Sequence, residues 1–261
     1  MKQILSRISR PLRRSVLMAA SLGLAFQATS ASAGEQPVVV ELFTSQGCYS
    51  CPPAEKLLGE LSKQPGILAL EWHVDYWDDL IYGLAGKWKD PFSDPAFTQR
   101  QRDYNRSIRG TGSVYTPQMV IGGQWEVVGS RVRDVERAIG QNRERPGIPM
   151  MVEKAPSDED SFDLTIALPA SGVPGRVLLA IFDLEHTTKV KSGENKGKTL
   201  TSHNIVRDVA AIGAYGGSAQ SLSIKGVRLG ANQGCAVLVQ AERSGPILGG
   251  AYCPGKGVPA T

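Results

Sequence analysis

The stretch Val38–Leu61, VVVELFTSQGCYSCPPAEKLLGEL, constrains the chain more than any other. Val38 to Phe43 is a nearly continuous apolar run rich in β-branched residues, which predicts a strand buried on both faces. Thr44 to Gly47 turn the chain, and Cys48 and Cys51 follow with two residues between them. Pro52 and Pro53 then suit the first turn of a helix, where a missing N–H costs little. Ala54, Leu57, Leu58 and Leu61 recur at helical spacing, with Glu55, Lys56 and Glu60 on the other side. A CxxC pair therefore lies at a strand-to-helix junction.

Further elements follow from the same kind of signal. Ile67–Val74 reads as a second strand after the Pro65-Gly66 turn, and parallel pairing with the first would be right-handed. Asp94 and Pro95 mark a helix start as N-cap and first position; Phe97, Gln101, Tyr104 and Ile108 share one face, and the helix ends near Arg109-Gly110. Val114–Ile121 and Gln124–Val128 around Gly122-Gly123 read as a hairpin, and Ser130 as the cap of a last helix faced by Val132, Val135, Ala138 and Ile139. The predicted order from Val38 to Ile139 is β-α-β-α-β-β-α.

The N-terminus carries a different message. Lys2, Arg7, Arg10, Arg13 and Arg14 form a basic segment, Val16–Phe26 is mostly apolar, and Ala31-Ser32-Ala33 offers a small-residue cleavage site. Residues 1–33 read as a signal peptide, which places the rest in the periplasm or outside the cell. Arg13-Arg14 leaves the twin-arginine route open beside the general secretory one. Without this segment 24 Lys and Arg face 25 Asp and Glu, so charge argues for neither nucleic acid nor an anionic membrane as partner. No later stretch offers the ~20 apolar residues of a membrane span.

Four cysteines remain: Cys48, Cys51, Cys235 and Cys253. Three pairings into two disulfides exist on paper. Proximity favours Cys48–Cys51, a tight and labile pair, and Cys235–Cys253, a structural staple.

At Gln141–Pro149 the composition turns polar and Pro/Gly-rich, which places a domain boundary there and gives domains of 34–145 and 146–261. Beyond it Ser161–Leu168, Val177–Asp183, Gln220–Ile224, Ala236–Glu242 and Gly250–Cys253 read as short strands of an all-β, sandwich-like domain. Lys189–Lys198 reads as a solvated hairpin tip. The second domain is expected to serve binding or docking.

These residues carry a resemblance. The half from Val38 to Ile139 resembles the thioredoxin fold, since a CxxC at a strand–helix junction is followed by Thr116-Pro117 leading into a Gly-Gly hairpin and a helix. The segments ELFTSQGCYSCPPAE, HVDYWD, KDPFSDPAFTQRQRDY and GENKGKTLTSHNIVRD are similar to exported thioredoxin-like proteins grouped as DUF1223. The resemblance implies an α/β thioredoxin-like domain followed by an all-β domain. It also implies that Pro117 is cis and faces the two cysteines, with Thr116 turned toward a substrate chain. Tyr49 and Ser50 between the cysteines, and a long insertion before Pro117, depart from ordinary thioredoxins.

The chemistry follows from position. A thiolate at a helix N-terminus is favoured by free N–H groups and the helix dipole. Cys48 is then the nucleophile and Cys51 the resolving thiol, and the chain reads as an exported thiol–disulfide oxidoreductase or redox chaperone. It would act on protein thiols or disulfides in the envelope, be recycled by a redox partner the sequence does not identify, and use no cofactor. Two alternatives stand beside this: an inert local disulfide, and a non-enzymatic copper-binding or envelope interaction protein with Cys48, Cys51 and His73 as ligands. Asp75, Tyr76, Trp77 and Asp78 are either a surface beside the CxxC, with Asp75 accepting a proton from Cys51, or a turn whose acids cap backbone N–H groups. His186 and His203 have no visible partner set.

Overall fold

In the computed structural model, described over residues 36–80, 86–145, 147–158, 160–241 and 244–255, strands dominate. The expected signal segment lies outside these residues. Eleven strands and three helices occur among them. β1 (Val38–Thr44), α1 (Pro52–Leu61), β2 (Ile67–His73), α2 (Pro95–Arg109), β3 (Gln118–Ile121), β4 (Trp125–Val128) and α3 (Val132–Arg143) reproduce the expected order of the first half. Next come β5 (Met151–Pro156), β6 (Phe162–Leu168), β7 (Gly175–Lys189), β8 (Thr199–Tyr215), β9 (Gln220–Val227), β10 (Gln233–Ala241) and β11 (Ile247–Tyr252).

Local chemistry explains the first elements. Strand β1 is buried throughout, and side-chain alternation sends Val38, Val40 and Leu42 to one apolar cluster and Val39 and Phe43 to another. Helix α2 starts as its sequence predicts: the Asp94 side chain accepts from the Ala96 N–H at 2.7 Å, Pro95 occupies the first turn, and Gly110 closes the end at φ 69°. Helix α3 departs from expectation, because Arg131 rather than Ser130 is its N-cap and offers no side-chain cap.

The pairing of strands corrects the fold class. An α/β thioredoxin-like domain followed by a separate all-β sandwich is not what forms. One mixed sheet of eight strands, in the order β11-β10-β7-β8-β2-β1-β3-β4, runs through both halves, and β5-β6-β9 form a second sheet of three. The physical cause lies at the free edge of β2. That strand is buried along its whole length, so its outer N–H and C=O groups need partners. β8 pairs there in parallel at Glu71 and Ile205, and side chains complete the edge: Ala69 N–H donates to Tyr252 Oη at 2.9 Å, and Asn204 Nδ2 donates to Ala69 C=O at 2.9 Å.

The core is shared in the same way. One apolar cluster joins Phe43, Leu70, Trp72, Phe97 and Tyr104 to Phe182, Val206 and Leu238, residues from both sides of the expected boundary. Arg100 of α2, its side chain largely buried, pairs with Glu41 of β1 at 2.8 Å and donates to Gln240 of β10 at 3.1 Å. A second cluster packs α1 and α3 on the other face of β1–β3, and a third fills the space between the two sheets. The described residues belong to one compact unit, Ala33–Thr261. Among them no helix is long and apolar enough to cross a membrane.

Candidate functional site

Strand β1 delivers the chain into a turn that is held from below. Gly47 N–H donates to Ser45 Oγ at 3.1 Å, Cys48 N–H to Ser45 C=O at 3.0 Å, and Gln46 N–H to Asp90 Oδ2 at 2.7 Å. The Cys51 carbonyl then accepts from Ala54 and Glu55, which starts α1 with Cys51 as its N-cap. Cys48 and Cys51 form a disulfide with Cα atoms 5.4 Å apart. Both are fully buried, whereas Tyr49 between them is 65% exposed. Ser50 Oγ lies 3.4 Å from Cys48 Sγ.

Under the turn sits a polar floor made by side chains from β1, α1, β2 and the connection before α2. His73, at the end of β2, places Nδ1 2.7 Å from Asp90 Oδ2 and Nε2 3.0 Å from Glu71 Oε1. Asp90 also accepts the Gln46 and Phe92 N–H groups, and Glu71 Oε2 accepts the His203 N–H at 2.9 Å. Glu55, one turn into α1, accepts from Thr44 Oγ1 at 2.7 Å. All of these groups are buried. Burial alone would neutralise His73, but the Asp90 and Glu71 carboxylates outweigh it and hold the imidazolium well above its ordinary range. For Asp90, burial is the largest single influence and acts upward, but the charge and hydrogen bond of His73 together with the Gln46 and Phe92 N–H groups outweigh it and lower its pKa. Glu55 has no cation of its own, and burial beside Glu71 pushes its carboxyl up to about 8.

Helix-face reasoning placed Glu55 with Lys56 and Glu60 on the solvent side; the structure turns it inward. The sequence signal was there to use, since Glu41, Glu71 and His73 interrupt strands that are otherwise apolar, and buried charges need partners.

The peptide between Thr116 and Pro117 is cis. Trp77 connects this turn to the CxxC turn: its Nε1 donates to Thr116 Oγ1 at 2.8 Å, and its Cβ lies 3.4 Å from where a Cβ on Gly47 would sit. The acids beside it serve the fold. Asp75 accepts from Thr98 Oγ1 of α2 at 2.5 Å, and Asp78 accepts from Ser93 Oγ at 2.6 Å and the Asp90 N–H at 3.1 Å. Asp78 caps a backbone N–H as the turn reading expects, whereas Asp75 bonds a threonine hydroxyl.

Both ring nitrogens of His73 are committed to carboxylates, and among the described residues no three His, Cys, Asp or Glu side chains are placed to hold a metal ion. His203 packs against Gly59 of α1 and lies 3.3 Å from Glu185. His186 packs edge-on against Phe92.

The connection between β7 and β8, residues 190–198, is the feature sequence reasoning misplaced. It lies on the CxxC segment. Asn195, fully buried, donates through Nδ2 to Gln46 C=O at 2.9 Å and Cys48 C=O at 2.8 Å. Glu194 Oε2 accepts the Tyr49 N–H at 2.8 Å, and Lys198 Nζ lies 4.3 Å from the centre of the Tyr49 ring.

The other disulfide is the expected one. Cys235 of β10 and Cys253, just past β11, bridge with Cα atoms 5.3 Å apart, and the Cys253 N–H donates to the Cys235 carbonyl at 2.8 Å.

Comparison with known proteins places these features in a family. Residues 39–240 match the family described as protein of unknown function (DUF1223), and the chain belongs to it. The crystal structure of protein AGR_C_4864 from Agrobacterium tumefaciens is similar at 31% identity with a TM-score of 0.67, over 86% of this chain and 96% of that one. Among curated proteins nothing matches.

Proposed function

We propose that this DUF1223 protein is an exported thiol–disulfide exchange protein acting on protein thiols or disulfides through Cys48 and Cys51. The observation that carries the reading is the disulfide at CxxC spacing closed at the N-terminus of α1, where the positive end of the helix dipole favours a thiolate once the bond opens. Thr116 and Pro117, linked to Gly47 of the CxxC turn through Trp77, offer an edge for a substrate chain. The basic, apolar and small-residue run of the first 33 residues supports delivery to the periplasm or beyond.

In the oxidised form, a substrate thiolate attacks Cys48 Sγ and the Cys48–Cys51 bond breaks, leaving a mixed disulfide and a Cys51 thiolate. A second substrate thiolate then attacks the substrate sulfur of that bond and Cys48 leaves. The substrate gains a disulfide, the CxxC pair gains two electrons, and a redox partner must take them back. The same steps in reverse reduce a substrate disulfide.

Cys51→Ser removes the resolving thiol and should trap envelope proteins on Cys48, visible as reducible high-mass bands. If no such adducts form and the purified protein neither oxidises nor reduces a model dithiol–disulfide pair, the reading fails.

A further inference from the structure

Exchange chemistry needs an attacking sulfur in line with the Cys48–Cys51 bond, yet both cysteines are fully buried. Below them lie β1, α1 and the polar floor, which are parts of the core and cannot move without unfolding it. Above the backbone of Gln46–Tyr49 lies the connection 190–198.

This connection is built as a unit of its own. Its ends are tied by Val190 N–H to Lys198 C=O and Gly197 N–H to Val190 C=O, both at 2.9 Å, and it turns at Gly193 and Gly197 with φ of 77° and 86°. Positive φ at these two places favours glycine. Its grip on the CxxC segment is polar and small in number: two bonds from Asn195, one to Glu194, and the Lys198 ammonium over Tyr49. Lys198 Nζ also donates to Asn195 Oδ1 at 2.8 Å, so the Asn195 carboxamide is satisfied on both sides. Outside the CxxC segment the connection touches Lys87 through Ser192 and packs Gly193 on Trp88.

Among the described residues, buried polar groups beside the connection lack partners, Trp88 Nε1 among them. Gln46 is fully buried and neither its Oε1 nor its Nε2 has a hydrogen-bond partner. A buried, unpartnered carboxamide is unfavourable, and opening to water relieves it. A segment held by few polar contacts belongs to the low-stability end of local opening.

Resting on the reading of Cys48–Cys51 as an exchange site, we propose that the connection 190–198 is a strap that gates it, with Asn195 as the latch: thiols reach the disulfide only when Asn195 leaves the Gln46 and Cys48 carbonyls.

The test is the rate at which dithiothreitol reduces each disulfide of the folded full-length protein, read by alkylation of new thiols and peptide mass. Asn195→Asp keeps the volume and replaces the two N–H donors by an oxygen facing two carbonyls, so it should speed reduction of Cys48–Cys51 at least tenfold. Lys198→Ala, at an exposed position, should speed it about two- to fivefold. Cys235–Cys253 serves as internal reference and should keep its wild-type rate. Unchanged Cys48–Cys51 rates in both variants would overturn the gate, and so would acceleration shared equally by the two disulfides. Dithiothreitol requires no exchange activity of the protein, so this result and the trapping of substrates by Cys51→Ser can fail independently.

Discussion

The two disulfides of this chain are equally buried and differently surrounded. Cys235 and Cys253 belong to the apolar cluster between the sheets, among Phe162, Leu164, Val177 and Val237. Cys48 and Cys51 sit between a turn tied to buried Asp90 and the helix that carries buried Glu55, and Asn195 bonds the Cys48 carbonyl. An apolar wall offers nothing to stabilise a thiolate, so reduction there exposes two thiols to surroundings that keep them protonated. A helix start turns the positive end of its dipole toward the CxxC pair and favours the anion there. The proposed division into a staple and a working bond rests on this difference.

Removing the floor should cost the molecule most. His73→Ala leaves the Asp90 and Glu71 carboxylates buried without their cation, and loss of one partner of such a set costs about 3–5 kcal/mol. Urea unfolding at neutral pH should show this loss, and a cost below ~1 kcal/mol would mean that water replaces the imidazolium and the floor is not closed. Next in size is the staple. Replacing Cys235 and Cys253 by serine opens a connection of 18 residues and should cost about 3 kcal/mol, whereas the same change at Cys48 and Cys51, separated by 3, should cost about 2. If the CxxC pair proves the more costly of the two, it is a structural bond as well, and the division of labour fails.

This division was only partly legible in the sequence. Local signals carried the first half: β-branched runs, Pro52 and Pro95 at helix starts, the Asp94 cap, and cysteine spacing that paired both bridges correctly. Non-local facts escaped. Nothing in Thr199–Tyr215 announces that it will meet β2, because the reason lies in the unpaired edge of Ala69 and Glu71 rather than in the strand's own pattern. The same holds for residues 190–198. Lysines, glycines and an asparagine read as solvent loop unless the carbonyls that receive Asn195 are known. Glu55 was misassigned because helical periodicity gives direction but not what waits there; a carboxyl facing Thr44 and a histidine network is as well placed as an apolar residue.

Glu55 provides the finest probe of the comparison, through pH. Its folded pKa of about 8 stands above the ordinary 4.5, so between these values the unfolded chain gives up a proton that the folded chain retains. The unfolded state then binds fewer protons, and stability falls as pH rises across that window. His73 acts in the same sense: its folded pKa is raised, so its contribution is present below about 6.5 and is lost as pH rises through the folded value. Asp90 works on the other side, since its lowered pKa gives stability that is lost as pH falls through that value. Glu55→Gln keeps the shape of the protonated carboxyl and cannot ionise. At pH 5 it should change stability by less than about 1 kcal/mol, a typical hydrogen-bond difference, and between pH 5 and 8 it should flatten the decline seen in the wild-type protein. A variant that declines as steeply as the wild type would locate the titrating group elsewhere in the floor, with His73 the remaining candidate. The apolar surroundings of Cys235–Cys253 supply no comparable group, so the Cys235→Ser, Cys253→Ser protein should lose stability by the same amount at pH 5 and pH 8.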